Sequence, residues 1–151
     1  MIEFLPMTAA HLDAVWAIEQ RAHPFPWTES QIRETPSRIA LNLVMQIDGK
    51  VAGYCFGQSV AGEVSLFNLA VDPGWQGQGL GRQLLAAFVA AARSEGGQDI
   101  WLEVRASNTK ASQLYLAGGF ELISRRQDYY RADSSVSAHG REDALIMKAR
   151  L

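Results

Sequence analysis

Apolar residues recur along the chain with two periods, and the switches between them mark out strands and helices. Ile39 to Ile47 alternates, with Ile39, Leu41, Leu43, Met45 and Ile47 on one face and Ala40, Asn42, Val44 and Gln46 on the other. Asp48-Gly49 is a two-residue hairpin signal, so Val51 to Val60 is expected to return antiparallel before Ala61-Gly62-Glu63 turns the chain again. Val64 to Val71 is mostly apolar, which suits a strand buried on both faces, and Asp72-Pro73-Gly74 stops it. The period then lengthens. Leu80, Leu84, Leu85, Phe88, Val89 and Ala92 form one helical stripe, closed by Gly96-Gly97. Asp99 to Arg105 alternates once more, with Ile100, Leu102 and Val104 opposite Trp101, Glu103 and Arg105.

The flanking segments follow the same logic. Ile2 to Leu5 is a short strand. Thr8 is the expected N-cap of a helix to about Arg21 with Leu12, Val15 and Trp16 inward. His23-Pro24-Phe25-Pro26-Trp27 breaks that helix, and its aromatics are either a plug beneath a loop or a wall of a substrate groove. Thr28-Glu29-Ser30-Gln31 reads as a capping box opening a second helix that ends before Pro36. Towards the C-terminus, Ser107-Asn108 caps a helix to about Leu116, and Gly118-Gly119 closes it. Glu121 to Arg126 and Asp143 to Lys148 are the last two strands, and the Ser-, Ala- and Asp-rich stretch from Tyr129 to Glu142 is expected to be a mobile loop. The whole is α+β: a mixed, mostly antiparallel seven-stranded sheet with four helices. The helix between the fourth and fifth strands is a crossover, so those two are expected to be parallel. Their divergence would leave a cleft at the ends of the sheet.

Length and composition narrow the reading. A chain of 151 residues, 48% hydrophobic, is long enough for one domain spanning residues 1–151 with a real core. A net charge of −2 argues against non-specific nucleic-acid binding. No run has the length of a membrane span, so a cytoplasmic protein is expected. The single cysteine, Cys55, excludes an internal disulfide and a cysteine-based zinc site; it lies in an apolar strand pattern and reads as a core residue, and no metal is called for. His11, His23 and His139 read as surface or loop residues.

Candidate chemistry concentrates after the fourth strand. In Gln76-Gly77-Gln78-Gly79-Leu80-Gly81-Arg82 three glycines leave main-chain N–H groups uncovered at a helix start, which is an anion site. The turn lacks the Lys-Ser/Thr of a P-loop, and Gly81 comes one residue too early for a dinucleotide fingerprint. A connection that binds nothing is the bland alternative. Glu103 is the second feature, a carboxylate inside a Trp-Leu-Glu-Val strand that is costly to bury unpaired; a structural ion pair with Arg105 or Arg125 competes with a functional role. Tyr115 is the third. Asn108, Ala111, Leu114 and Tyr115 share one side of the last helix, spanning roughly 10 Å along it; the bland reading of Tyr115 is a core aromatic with its hydroxyl at the rim.

The segments FNLAVDP, QGQGLGR, WLEVRASN, LYLAGGF, YY and GREDALIM, with IEQRAHPFPW near the start, run in an order that resembles the GCN5-related N-acetyltransferases over almost the whole chain. WLEVRASN and GREDA resemble in particular the bacterial subgroup that acetylates ribosomal-protein alanine. The resemblance implies the fold of that superfamily, with the central parallel pair splayed at the cofactor site. It also implies transfer from acetyl-CoA to the N-terminal alanine of small-subunit ribosomal protein eighteen in a ternary complex. Carried onto this sequence, Glu103 is the proton acceptor and Tyr115 the proton donor. Leu69, Ala70, Val71, Gln76, Gly77, Gln78, Gly79, Leu80, Gly81, Arg82 and Asn108 hold acetyl-CoA. The implied partner is the N-terminal peptide of a ribosomal protein, with no nucleic acid or membrane, and Phe25, Trp27, Tyr129 and Tyr130 are candidates to grip it. The segment RADSSVSAHG is longer than this subgroup usually carries. A same-fold enzyme acting on lysine or a small amine, and a non-catalytic coenzyme-binding module, are the competing readings.

Overall fold

Strand β4 (Glu63–Val71) and strand β5 (Asp99–Arg105) set the architecture, because they alone run parallel and pair over only four residues, from Glu63↔Asp99 to Leu66↔Leu102. The computed structural model describes residues 1–151. Strands β1 (Ile2–Pro6), β2 (Leu43–Ile47) and β3 (Lys50–Val60) precede them, and β6 (Glu121–Arg131) and β7 (Arg141–Arg150) follow. The single seven-stranded sheet has the order β1-β2-β3-β4-β5-β7-β6, and every neighbouring pair except β4/β5 is antiparallel. The expected mixed sheet and its parallel pair are therefore present.

The four helices divide between the two faces. On one face, α3 (Leu80–Ser94) presents its stripe of Leu80, Leu84, Leu85, Phe88 and Ala92 to the sheet, with Val89 half-buried at the margin. Helix α4 (Thr109–Ala117) adds Tyr115 to the same core. Close packing demands a glycine in β3: a Cβ on Gly57 would stand 2.6 Å from the Phe88 ring and from the Ser65 carbonyl oxygen. On the other face, α1 (Leu12–Ala22) and α2 (Glu29–Arg33) cover Val44, Tyr54, Phe56 and Ala70. Adjacent residues of β2 thus point into different cores, Val44 into one and Met45 into the other. The Thr28–Gln31 capping box forms as read, with Gln31 N donating to Thr28 Oγ1 at 3.2 Å and Thr28 N to Gln31 Oε1 at 2.9 Å. Thr8 instead precedes a short 3₁₀ turn, Ala9–His11, and the α-helix begins at Leu12. No helix is long and apolar enough to cross a membrane.

Three sequence expectations need correction. The strand read over Ile39–Ile47 is regular only from Leu43. Ahead of it the chain follows β3 irregularly, through an isolated Ala40↔Gln58 bridge and an Asn42 side chain that accepts from Gly57 N, and a side chain substituting for a ladder partner ends the regular pairing. The loop read over Tyr129–Glu142 is shorter than expected, because β6 continues to Arg131 and β7 begins at Arg141, so residues 132–140 connect a long hairpin. The sequence signal for β6 fades after Arg126 because it is an edge strand exposed along nearly all its length, with no face to bury. β4 is not buried on both faces throughout: Phe67 is 53% exposed. Phe56 pairs with Asn68 and Gly57 with Leu66, so Phe67 is bulged out of the β3–β4 ladder. The extra residue switches the strand's facing, placing Val64 and Leu66 under α3 before it and Asn68 and Ala70 toward α1 after it.

Candidate active site

The bulge and the end of parallel pairing coincide. Beyond Leu66↔Leu102 the two strands part, leaving the β5-facing edge of Leu69, Ala70 and Val71 outside any ladder. A cavity of about 410 Å³ occupies the opening. Its lining comes from both faces of the sheet: Leu80, Leu114 and Tyr115 from the α3/α4 side, Ala22 and His23 from the α1 side, and the tail of β4 between them. The divergence is therefore a passage from one face to the other.

At one end of this cavity lies the glycine-rich turn. Gly79 is the N-cap of α3 with φ of 75°, a left-handed conformation that favours glycine, and no side chain caps the helix. The first-turn N–H groups consequently have no intrahelical acceptor and are left to whatever fills the cavity. Open space surrounds the Cβ positions of Gly77 and Gly79, so a large anion can approach the backbone there. Gln76 Nε2 donates to Val71 O at 3.0 Å and Lys110 Nζ to Gln76 Oε1 at 3.5 Å, fastening the turn to β4 and α4. Asn108 caps α4, its Oδ1 accepting from Ala111 N at 3.1 Å. All the sequence-derived cofactor residues except Gln78 line this one cavity, and Lys110 joins them as a cation the sequence did not single out.

Tyr115 is buried in the cavity wall, and burial in apolar surroundings, more than the nearby Cys55 and Tyr130, pushes its phenol well above the usual range. It keeps its proton at any working pH. Cys55, on β3, is fully buried and its thiol is pushed up to about 12 by desolvation, which makes it a core residue rather than a nucleophile.

Glu103 lines a second cavity of about 590 Å³ with Phe67, Trp101, Arg126, Tyr129 and Tyr130. Its side chain is 34% exposed, and its nearest cation is Arg126 Nη2 at 3.7 Å, not Arg105 or Arg125. Those two are engaged elsewhere, Arg105 with Glu142 and Arg125 with Asp143. Glu103 and Phe67 each follow the last parallel pair directly, so this second cavity and the first approach the same divergence. Burial and the neighbouring Glu103 charge hold the Tyr130 phenol up at about 12.

A clamp closes over the ends of the strands. The Arg105 guanidinium lies between the rings of Phe25, 4.1 Å from its centroid, and Tyr130, at 4.4 Å, and donates to Arg131 O at 2.6 Å and Glu142 Oε2 at 3.2 Å. The loop after α1 and the β6–β7 hairpin are thereby joined through β5. Of the other aromatic candidates, Trp27 packs on Phe56 with centroids 5.1 Å apart and Tyr129 lies over Arg126. Glu142 is buried. Burial raises its pKa, but the Ser107 N–H and the Arg105 guanidinium outweigh that and hold it below the ordinary glutamate value. The carboxylate in GREDA had drawn no role from the sequence; its distance from Arg105 along the chain hid the pairing.

His23 opens the loop after α1, as read, but it is not a free surface group. Its side chain is 25% exposed, it lines the first cavity, and its Nε2 bonds Asn68 Oδ1 at 2.9 Å. Behind it, Glu19 is wholly buried, accepting from Tyr54 Oη at 2.6 Å, Asn68 Nδ2 at 2.8 Å and Trp27 N at 2.9 Å. The only sequence signal for this cluster was a glutamate spaced one turn beyond Val15 and Trp16 on the inward stripe of α1.

A mixed sheet whose single parallel pair splays beside a glycine-rich helix start defines an acyltransferase architecture, and the family model described as Acetyltransferase (GNAT) family matches residues 12–120. The chain belongs to that family and is an N-acetyltransferase by class. Among its relatives, the [ribosomal protein bS18]-alanine N-acetyltransferase of Salmonella typhimurium is 42% identical over 141 residues, 93% of this chain and 92% of that protein. The enzyme of the same name from Escherichia coli K12 is 43% identical over 136 residues, covering 90% and 88%. The crystal structure of the Escherichia coli ribosomal-protein-S18-alanine N-acetyltransferase superposes with a TM-score of 0.90 at 40% identity, covering 99% of this chain and 94% of that one.

Proposed function

We propose that residues 1–151 act as one catalytic domain that transfers the acetyl group of acetyl-CoA directly to the N-terminal alanine of ribosomal protein bS18. The observation that carries this reading is the cavity that crosses the sheet where β4 and β5 part, with anion-binding backbone at one end and access to the opposite face at the other. A long thiol coenzyme fits such a passage: its diphosphate has the uncapped start of α3, and its acyl end reaches the far face. The high identity to relatives bearing that activity supports the choice of acceptor.

Each residue then has a chemical task. The N–H groups around Gly77–Arg82 hold the diphosphate. The open edge of Leu69–Val71 takes the pantetheine arm as an additional strand would, and one N–H there donates to the thioester oxygen. An α-ammonium has a pKa of about 8, so the attacking amine needs a proton acceptor. Glu103, on the opposite face and open to solvent, serves directly or through one water. Tyr115 donates to the sulfur as the thiolate forms. Because its phenol lies far above a thiol's value of about 8.5, Tyr115 keeps its proton and its hydrogen bond stabilises the leaving thiolate, which takes its own proton from solvent as the products separate. The inert Cys55 supports direct attack over an acetyl-enzyme. The second cavity, walled by Phe67, Tyr129 and Tyr130, is the proposed seat of the peptide.

The test uses a short peptide beginning with the bS18 N-terminus and the same peptide with its α-amine blocked and a free lysine added. Acetylation of the first and not the second, read by mass, is the expected result. Modification of lysine in the blocked peptide with none at the free α-amine would replace this reading by that of a lysine acetyltransferase.

A further inference from the structure

The buried cluster centred on Glu19 ties three separate segments to one carboxylate. A carboxylate with no solvent exposure lies on the packed side of α1 with Val15 and Ile18, and it answers three donors that an apolar side chain would leave unpaired. Its three donors come from β3, β4 and the loop after α1. Two of the groups it fixes adjoin the reaction centre: Asn68 directly follows the bulged Phe67, and His23 lines the cavity that Tyr115 also lines.

The hydrogen-bond directions in this cluster are determined by chemistry. A carboxylate beset by three donors accepts, so the Asn68 carboxamide must present Nδ2 to Glu19 and Oδ1 to His23. Oδ1 has no hydrogen to give, so His23 Nε2 carries the proton. The same Nε2 lies 3.6 Å from Glu19 Oε1. In the neutral ring the lone pair is then on Nδ1, and the only side-chain hydrogen bond of His23 is the one through Nε2. The relay Glu19–Asn68–His23 therefore fixes the ring's tautomer and orientation and leaves an acceptor without a protein partner, on the α1 side of the passage.

We propose that His23 is a further substrate-contacting residue, its Nδ1 accepting a hydrogen bond from the acceptor amine so that the nitrogen lone pair faces the thioester, with Asn68 and Glu19 as the positioning residues behind it. This rests on the N-acetyltransferase reading above. It assigns His23 no proton transfer: the proton lost on attack still goes to Glu103, and His23 holds an N–H that stays on the nitrogen through the attack.

The experiment exploits the different reach of two amide side chains. His23→Gln places an N–H near the position of Nε2, keeping the bond to Asn68, and removes the acceptor at Nδ1. His23→Asn places an acceptor near Nδ1 and gives up the bond to Asn68. For His23→Gln we expect an unchanged melting temperature and acetyl-CoA affinity, with kcat/KM for the alanine-starting peptide reduced roughly 10- to 100-fold, the loss of one hydrogen bond to a charged or charging group. His23→Asn is expected to recover part of that loss despite a lower melting temperature. A His23→Gln enzyme as fast as wild type would reduce His23 to a fastening between loop and bulge, and a matching fall in acetyl-CoA affinity would make it a wall of the coenzyme cavity; either overturns the proposal. ¹⁵N spectra of the imidazole in the free protein at the assay pH provide a second readout, expected to show the Nε2–H tautomer; an Nδ1–H tautomer, or a ring protonated at both nitrogens beside Glu19, would refute the proposal. Failure of the underlying reading looks different, since wild-type protein would then leave the peptide unacetylated.

Discussion

Glu103→Gln separates catalysis from stability cleanly. The carboxylate is a third exposed and its one ion pair, to Arg126 Nη2, is long at 3.7 Å. Such surface pairs are worth about 0–1 kcal/mol, and 1 kcal/mol in a domain of this size moves the melting temperature by about 2–4 °C. Glutamine has nearly the same shape, so neither the strand nor the second cavity should change. Removing a proton acceptor costs about 10²- to 10⁴-fold in rate, equivalent to roughly 2.7–5.5 kcal/mol of barrier. The expected phenotype is therefore a protein that melts within a few degrees of wild type, binds acetyl-CoA normally by titration calorimetry because Glu103 lies outside that cavity's lining, and turns over peptide orders of magnitude more slowly. Steady-state kcat and KM, measured at peptide concentrations spanning KM, distinguish loss of chemistry from loss of binding. A kcat close to wild type would show that the amine loses its proton elsewhere.

Three further outcomes follow from the same geometry. Tyr115→Phe deletes a hydroxyl that no protein group bonds and so should leave the melting temperature nearly unchanged while lowering kcat by about 10²-fold or more; full activity in steady-state assays would remove Tyr115 from the reaction. Gly79→Ala forces φ of 75° on a residue with a Cβ, costing about 1–2 kcal/mol; thermal denaturation should show that loss and calorimetry a weaker acetyl-CoA complex, whereas unaltered binding would move the diphosphate away from this turn. The Glu142 pKa is depressed by folding, so its stabilisation is complete above the unfolded glutamate value of about 4.3 and disappears as pH falls through the lower folded value. Glu142→Gln should thus lower the urea midpoint at neutral pH and converge on wild type in acid, and a difference that persists there would mean the carboxylate's charge is not what is lost.

The period-two and helical repeats were sufficient to order the seven strands and four helices along the chain, because most elements other than the exposed β6 show a buried face locally: the Leu80–Ala92 stripe of α3 and the alternation of β5 appear in the packed cores as read. The glycine-rich turn was equally legible, since Gly77 and Gly79 adopt left-handed backbone that their own residue type favours. What folding decided was everything that depends on residues distant in the chain. The bulge at Phe67 arises from register against β3, the exposed edge of β6 from its place at the end of the sheet, and the pairing of Arg105 with Glu142 from a contact across 37 positions. The same holds for Glu19, Tyr54 and Asn68. Hydrophobic periodicity records which side of an element leaves water; it carries no information about which buried polar groups meet, because hydrogen-bond partners are chosen by distance and direction in the packed molecule, and those exist only after the elements have docked.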